Sequence, residues 1–237
     1  MRLTLLLLRA AMCSGLVFAT ASLLTPTIGS ALTISWADLT SDNSDAGTVS
    51  GSITAPSGTV GVTYSGGYAF DELNNTGFNY WTGVGYTYNG PANQPATSDI
   101  IGLSDANTGV ITFSHAVQNV FVAFNSWNGA QVTFSAPFTI IGEGCGYWGC
   151  GTFVPNGTNT GFYGNGETVG ILEFSGNLTS LTFTDTVPEY WHGLTVGIAD
   201  VSTTPLPSTW TMMLIGLVGL GFFGCRQSKK GGLTAAA

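Results

Sequence analysis

The sequence predicts an all-β domain, a two-sheet β-sandwich of the jelly-roll type, between residues 32 and 201. Apolar residues alternate with small or polar ones in one short run after another. Gly, Asn, Asp or Pro separates most of these runs, as turns between strands require. Away from the two ends of the chain, no stretch combines a helical period with capping residues.

Six runs are the predicted strands of this domain. They cover residues 109–114, 119–125, 130–135, 168–174, 179–184 and 194–200. The run 119–125 is continuously apolar, which suits a strand that is buried on both faces. Residues 41–67 have few bulky apolar side chains and are expected to hold edge strands or an irregular leading segment. Aromatic residues crowd positions 70–88, and two prolines indicate a loop over 90–99.

The distribution of charge limits the partners of this domain. The chain has 237 residues with a net charge of −8, and only 8% of the residues are charged. Its five Lys and Arg residues lie near the two ends, whereas all thirteen Asp and Glu residues lie between positions 38 and 200. An acidic surface repels phosphate backbones and anionic lipids, so we expect no nucleic-acid binding. Neutral glycans, divalent cations and basic partners stay possible.

The sequence predicts no catalytic residues, metal ligands or cofactor. The domain has two His residues and no Lys or Arg, so it offers few groups for acid–base chemistry or oxyanion stabilisation. It also lacks the Gly-x-Ser-x-Gly, His-Glu-x-x-His and phosphate-loop motifs. A glycoside hydrolase is kept as the third alternative, because thirteen acids are present and sequence alone does not pair them.

The first 31 residues are predicted to be a signal peptide. Arg2 and Arg9 supply the positive charge, and residues 10–24 form the uncharged, mostly apolar segment that follows. Small residues permit cleavage after Ala21 or after Ala31, with a slight preference for Ala31. The alternative is an N-terminal membrane anchor.

The other end of the chain predicts a membrane helix. Residues 210–225 are an unbroken uncharged run that would span ~24 Å as a helix. This is a little short of a hydrocarbon core of ~30 Å, and residues 206–209 could extend it. Arg226, Lys229 and Lys230 follow at once, and we expect them to stay in the cytoplasm as a stop-transfer signal. Residues 202–209 are the predicted linker, and 226–237 the basic cytoplasmic tail.

This C-terminal sequence resembles a known sorting signal. Pro205, Leu206 and Pro207 precede Ser-Thr-Trp, a Gly-rich apolar run and a basic end. The ordered set resembles the PEP-CTERM signal of Gram-negative bacteria, which exosortase recognises. Leu206 stands where Glu is usual, so the motif looks like a Pro-Leu-Pro variant. The same tail is also catalogued as an ice-binding protein C-terminal domain, a name that implies no ice binding by the β domain.

The resemblance implies where the protein goes. It implies export, a transient inner-membrane anchor, processing near residues 205–207 and then location at the cell surface or outside the cell. The expected function is a structural or adhesive role in exopolysaccharide or biofilm. A glycan-binding module, with or without calcium, is the alternative function, and a plain tail anchor that is never cleaved is the alternative reading of the tail.

Two short segments carry the candidate site residues. Cys145 and Cys150 are separated by four residues in an exported chain, which predicts a disulfide. Such a bridge either presents Tyr147 and Trp148 outward or lets them cover one end of the domain. The predicted glycan contacts are Trp148, Glu189, Trp191 and His192, because aromatic faces stack on sugars while Glu and His supply hydrogen bonds. The alternative is that 189–192 only packs the loop before the last strand.

Two acidic segments, 42–47 and 71–75, place several oxygen ligands close together. Calcium takes such ligands, but neither segment matches the twelve-residue EF-hand loop. We therefore expect solvated acidic turns rather than a metal site.

Overall fold

The computed structural model describes residues 32–200. This part of the chain is all-β, with fourteen strands and no helix, so the all-β part of the predicted fold class is confirmed. None of the described residues forms a helix that could cross a membrane. The predicted signal peptide, linker, membrane helix and basic tail lie outside the described residues.

Twelve of the fourteen strands have nine residues or fewer, and the other two are much longer. Their bounds are β1 Thr33–Trp36, β2 Asp38–Asn43, β3 Thr48–Ala55, β4 Gly58–Ser65, β5 Phe70–Glu72, β6 Thr87–Asn89, β7 Ile100–Leu103, β8 Asn107–Asn125, β9 Gln131–Phe134, β10 Thr139–Cys145, β11 Cys150–Pro155, β12 Gly161–Gly166, β13 Gly170–Asp185 and β14 His192–Asp200.

Hydrogen bonds connect all fourteen strands into one antiparallel network. The main path runs β2-β3-β4-β8-β13-β9-β12-β11-β10-β6, and β14 joins it through β8. β1 and β7 pair with β14, β5 pairs with β7, and β10 also pairs with β13. β2, β3 and β4 correspond to the segment for which the sequence left edge strands or irregular structure open.

The long strands β8 and β13 divide this network into two sections. The first half of β8 pairs with β4 and the second half with β14. Likewise, the second half of β13 pairs with β9 and the first half with β10. The first section therefore contains β2, β3, β4, β9, β11 and β12, and the second contains β1, β5, β6, β7, β10 and β14.

The sequence did not predict that β8 and β13 are continuous. It treated 109–114 and 119–125 as two strands, and 168–174 and 179–184 as two more. The structure joins each pair through register shifts between Phe174 and Ser180. Asn119 and Gly176 have φ values of +52° and +104°, and the Asn119 side chain accepts a hydrogen bond of 3.0 Å from Gly176 N. These turn-forming residues therefore bend paired strands at a bulge and do not reverse the chain.

The two sections enclose one hydrophobic core. Val120, Val122 and Phe124 of β8 point into it together with apolar side chains of both sections. Phe121 and Ala123 point the other way, into a second and smaller apolar cluster. The prediction that 119–125 is buried on both faces is confirmed, because all these side chains are at most 1% exposed.

The outward face of the first section is rich in hydroxyl groups. The register aligns Ser41, Ser50, Thr63, Thr112 and Ser180 in one row across five strands. Neighbouring hydroxyls contact each other, as Ser50 and Thr63 do at 3.2 Å. The strand-by-strand sequence pattern shows only that these positions alternate with apolar ones, and the row becomes visible once the register is known.

We expect Phe124→Ala to lower the free energy of unfolding by about 3–5 kcal/mol. The Phe124 ring contacts Trp127, Phe134, Phe153 and Phe162 at centroid distances of 5.0–6.2 Å, so its removal leaves a cavity in the main core. Denaturant unfolding of the purified protein measures the change. Tyr163→Ala is the matched control, because Tyr163 is 47% exposed, and we expect it to cost no more than about 0.5 kcal/mol. Equal costs for the two variants would contradict the assignment of the core.

Candidate functional site

A disulfide-closed hairpin forms the first part of the candidate site. Cys145 ends β10, Cys150 begins β11, and the two residues are directly opposite in the register. Their side chains form the predicted disulfide. Gly146 N donates a hydrogen bond of 2.8 Å to Gly149 O, which closes the turn between the strands. Tyr147 and Trp148 therefore occupy the tip of a turn that is fixed by both a covalent and a hydrogen bond.

Six side chains gather at this tip into a contiguous group that we call the aromatic surface. Trp148 lies against Tyr80 with nearly parallel rings at 5.3 Å between centroids, and against Trp191 at 4.0 Å. Further ring contacts of 4.7–6.4 Å complete the group. Its members are Phe70, Phe78, Tyr80, Tyr147, Trp148 and Trp191.

The aromatic surface is open to solvent at three of its members. Phe78 is 49% exposed, Tyr147 51% and Trp148 42%, whereas the other three are only partly exposed and support them from behind. Both alternatives for the hairpin tip are therefore realised, since Trp148 packs against the domain and is also presented outward. Large apolar side chains that are exposed together in this way commonly mark interaction sites.

The four predicted glycan contacts fall into two different environments. Trp148 and Trp191, which are 43 residues apart in the sequence, touch each other in the aromatic surface. His192 follows Trp191 directly and is the first residue of β14, but its side chain lies in the interior, where it is 0% exposed and packs on Trp127 at 4.4 Å. The structure thus unites two of the four residues and places His192 in the interior. Glycan contact by the set stays a prediction.

Glu189, the fourth predicted contact, lies in a mostly buried polar pocket with His192. Its Oε1 accepts a hydrogen bond of 2.9 Å from Asn128 N, and its Oε2 lies 3.7 Å from His192 Nδ1. His192 Nε2 lies 3.7 Å from Asp185 Oδ2. At these distances neither imidazole nitrogen makes a regular hydrogen bond.

Burial controls the protonation of this pocket. Loss of solvent raises the pKa of Glu189 to about 8, and the negative charges of Glu167 and Asp185 add to the effect, while the hydrogen bond from Asn128 opposes it. Burial also lowers the pKa of His192 to about 4. At neutral pH we therefore expect an uncharged His192 next to a mainly protonated Glu189, a state that requires no cationic partner.

The acidic segments do not converge on a metal site. Asp42 lies near the end of β2 and accepts a hydrogen bond from the Tyr68 hydroxyl, and Asp71 lies on β5. Among residues 32–200, no group of three or more His, Cys, Asp or Glu side chains is arranged to hold a metal ion.

An open cleft of about 620 Å³ lies at the base of the same hairpin. It opens where β11 diverges from β10, and Glu143 is its charged lining residue. One carboxylate oxygen of Glu143 is used within the fold, because it accepts a hydrogen bond of 2.6 Å from Phe153 N. The sequence did not predict this cleft, since the separation of two paired strands leaves no mark in their residue pattern.

Three of the six members of the aromatic surface, Phe70, Phe78 and Tyr80, were not predicted as site residues, and for Tyr147 the sequence left both an exposed and a packing role open. Phe70, Phe78, Tyr80 and Tyr147 belong to the aromatic-rich stretch 70–88 and to the hairpin tip, both of which stand out in the sequence. The crowding of aromatics was thus a usable signal. Its connection to Trp148 and Trp191 depends on strand pairing that alternation alone does not predict.

Comparison with known proteins identifies one feature of the chain. Residues 203–229 match the PEP-CTERM protein-sorting motif, which confirms the resemblance seen in the C-terminal sequence. Such signals are processed by exosortase, so the motif marks this chain as an exosortase-targeted protein of the cell surface or extracellular space. No curated protein and no solved structure gives a significant match.

We expect the double variant Cys145→Ser, Cys150→Ser to unfold with a free energy about 2 kcal/mol lower than the wild-type protein. Loop-closure entropy predicts this magnitude for a bridge across so short a loop. Denaturant unfolding measures it, and the wild-type protein under reducing conditions is the control that should behave like the variant. An unchanged stability would show that the hairpin tip is held without the bridge.

We expect Glu189→Gln to change the pH dependence of stability in a defined direction. The pKa of Glu189 is raised from 4.5 to about 8 in the folded protein, so its contribution is present below pH 4.5 and is lost as the pH rises through 8. His192, whose pKa is lowered from 6.5 to about 4, loses its contribution as the pH falls through that range. The variant should still lose stability as the pH falls through the His192 range, but it should no longer lose stability as the pH rises from 4.5 to 8. In the wild-type protein we expect that second loss to be at least about 1 kcal/mol of unfolding free energy.

Unfolding free energies measured from pH 4 to pH 9 test this expectation. Glu173→Gln is the control, because Glu173 lies on β13 away from His192 and contacts Ser175. The control should keep the alkaline decline of the wild-type protein. A decline that persists in Glu189→Gln would assign it to another group.

Proposed function

We propose that this protein is released by exosortase-type processing near Pro205–Pro207 and then adheres to exopolysaccharide through its aromatic surface. Its role in the extracellular matrix or biofilm is structural or adhesive. The observation that carries the proposal is the exposed aromatic surface on a chain that also has a surface-sorting motif. The transient anchor is the apolar run 210–225, and the signal peptide is 1–31.

The chemistry of the aromatic surface suits a sugar polymer. Pyranose rings have apolar faces of C–H groups, and aromatic side chains bind such faces while excluding water from them. Three exposed rings at one place can contact more than one sugar unit, which favours a polymer over a single monosaccharide.

The arrangement is also pre-organised. Trp148 is fixed by the disulfide on one side and by stacking on Tyr80 and Trp191 on the other. Rings that are already in place lose little conformational freedom when a ligand binds, so more of the contact energy contributes to affinity.

The finer architecture supports the same function. We infer that the two sections of the strand network are the two layers of the predicted jelly-roll sandwich, because they enclose one core. The second section is covered by the main core on one face and by the smaller apolar cluster on the other. Phe70, Tyr80 and Trp191 pack against that smaller cluster, so the aromatic surface rests on a rigid base.

A non-enzymatic role is part of the proposal, and a glycoside hydrolase is the competing one. One observation favours the hydrolase: Asn128 donates hydrogen bonds to both Glu167 and Glu189, which brings two carboxyl groups into one place. A glycosidase needs such a pair on either side of a sugar-binding cleft. Glu189 is instead mostly buried, and neither carboxylate lines the cleft at the hairpin.

We expect Trp148→Ala to weaken binding of the protein to polysaccharide at least tenfold, because it removes the central exposed ring. Sedimentation with insoluble polysaccharide, or titration calorimetry with soluble oligomers, measures the affinity with and without calcium. Tyr163→Ala is the matched control, since Tyr163 is an exposed aromatic outside the aromatic surface and should leave the affinity unchanged. Wild-type affinity in Trp148→Ala would overturn the site, and release of reducing sugar would favour the hydrolase.

The processing step is tested by the intact mass of the protein recovered from cell envelope and culture medium. We expect a disulfide-bonded species that begins near Leu32 and ends near Pro207. A species that retains residues 210–237 would contradict processing and favour the plain tail anchor.

A further inference from the structure

We propose that the aromatic surface selects polysaccharides whose sugars carry free amino groups, in preference to neutral or acidic ones. The inference rests on the proposed function and adds the chemical class of the ligand. It follows from the acidic groups near the six rings and from the absence of Lys and Arg between residues 32 and 200.

The domain as a whole favours a cationic ligand. Residues 32–200 contain thirteen Asp and Glu residues and no Lys or Arg, which gives a formal charge of −13. A uronic acid polymer would approach this domain against its electrostatic potential, and no Arg or Lys of the domain could pair with the carboxylates of the polymer. A polymer with ammonium groups would be attracted.

A carboxylate also lies beside the chain that leads into the exposed rings. Glu72 packs over Gly77, the residue before Phe78, so closely that a Cβ atom there would lie 2.6 Å from Glu72 Cδ. Burial raises the pKa of Tyr80, and the negative charge of Glu72 adds to the rise. Glu72 therefore lies next to one member of the aromatic surface in the sequence, and its charge acts on another.

A second carboxylate lies beside the hairpin tip. Glu167 lies against Gly149, the residue after Trp148, and its Cγ would be 3.2 Å from a Cβ at that position. Its two carboxylate oxygens accept hydrogen bonds from Ser126 Oγ and Asn128 Nδ2. An acidic group therefore borders the rings at the residue that follows Trp148.

Rings and carboxylates together recognise an ammonium group on a sugar. The electron-rich faces of Trp and Tyr attract cations, and the attraction grows when the cation is partly desolvated. An amino sugar offers both an apolar ring face for stacking and an ammonium group for this contact. A neutral sugar offers only the first, so the two should differ in affinity by about tenfold.

The test compares two hexamers with the same β-1,4-linked backbone, one with free amino groups and one with acetylated amino groups. The full chain, purified in detergent with its disulfide formed, is titrated with a β-1,4-linked glucosamine hexamer and with the same hexamer after N-acetylation. We expect about tenfold tighter binding of the amino form at 0.1 M salt. The preference should largely vanish at 1 M salt, where the screening length falls from ~10 Å to ~3 Å.

Protein variants separate the local carboxylate from the overall charge. We expect Glu72→Gln to reduce the preference for the amino form at least threefold and to leave binding of the acetylated form unchanged. Asp45→Asn is the matched control, because it removes the same charge from the turn between β2 and β3 and should keep the preference. Equal effects of the two variants would overturn the role of Glu72.

The remaining outcomes are also decisive. Equal affinity for the two hexamers would overturn the inference while leaving the proposed function intact. Binding of neither hexamer, nor of any other polysaccharide, would overturn both. Oligolysine that binds as tightly as the amino hexamer, and through Trp148, would show that the surface recognises basic peptides and would overturn the assignment to a sugar.

Discussion

The pairing of β8 with β13 is the interaction on which the rest of the structure depends. The two strands pair from Gly170 with Phe124 to Asp185 with Asn107, and two register shifts, between Phe174 and Asn177 and between Leu178 and Ser180, interrupt the pairing. Each half of the pair is hydrogen-bonded to one section of the network. The bend between the halves therefore sets the orientation of the two sections, both of which contribute side chains to the main core. The core side chains of β8 and the strands that position the aromatic surface are both consequences of this pairing.

The absence of Lys and Arg from the domain is the second constraint. Buried carboxyl groups elsewhere are usually paired with a cation, but here Glu189 and Asp185 have only His192 nearby, and that ring is buried as well. Protonation of Glu189 removes the need for a partner charge. The same absence leaves residues 32–200 with thirteen acidic and no Lys or Arg side chains, so their formal charge of −13 favours cationic over anionic ligands.

Sequence patterns predicted those features that depend on neighbours along the chain. The apolar runs revealed the strands β8, β9, β13 and β14, the continuous run 119–125 revealed burial on both faces, and the spacing of Cys145 and Cys150 revealed the disulfide. Sequence patterns did not predict the features that depend on strand register. The continuity of β8 through Asn119, and the contact of Trp148 with Trp191, both require knowing which strand lies beside which. Their adjacency in one predicted loop also grouped Trp191 with His192, whereas the structure begins β14 at His192 and buries that side chain completely.

The location of the protein and the construction of its candidate site depend on each other. A disulfide forms in the oxidising space outside the cytoplasm, so the tip that holds Tyr147 and Trp148 becomes fully fixed only after export. The sorting motif at 203–229 marks the chain as an exosortase-targeted protein of the cell surface or extracellular space. Without the bridge the exposed rings would stand on a hairpin that lacks its covalent closure, and under the proposed function they would bind sugars less well. Pre-organisation of the aromatic surface is thus coupled to arrival in the compartment where extracellular polysaccharide is found.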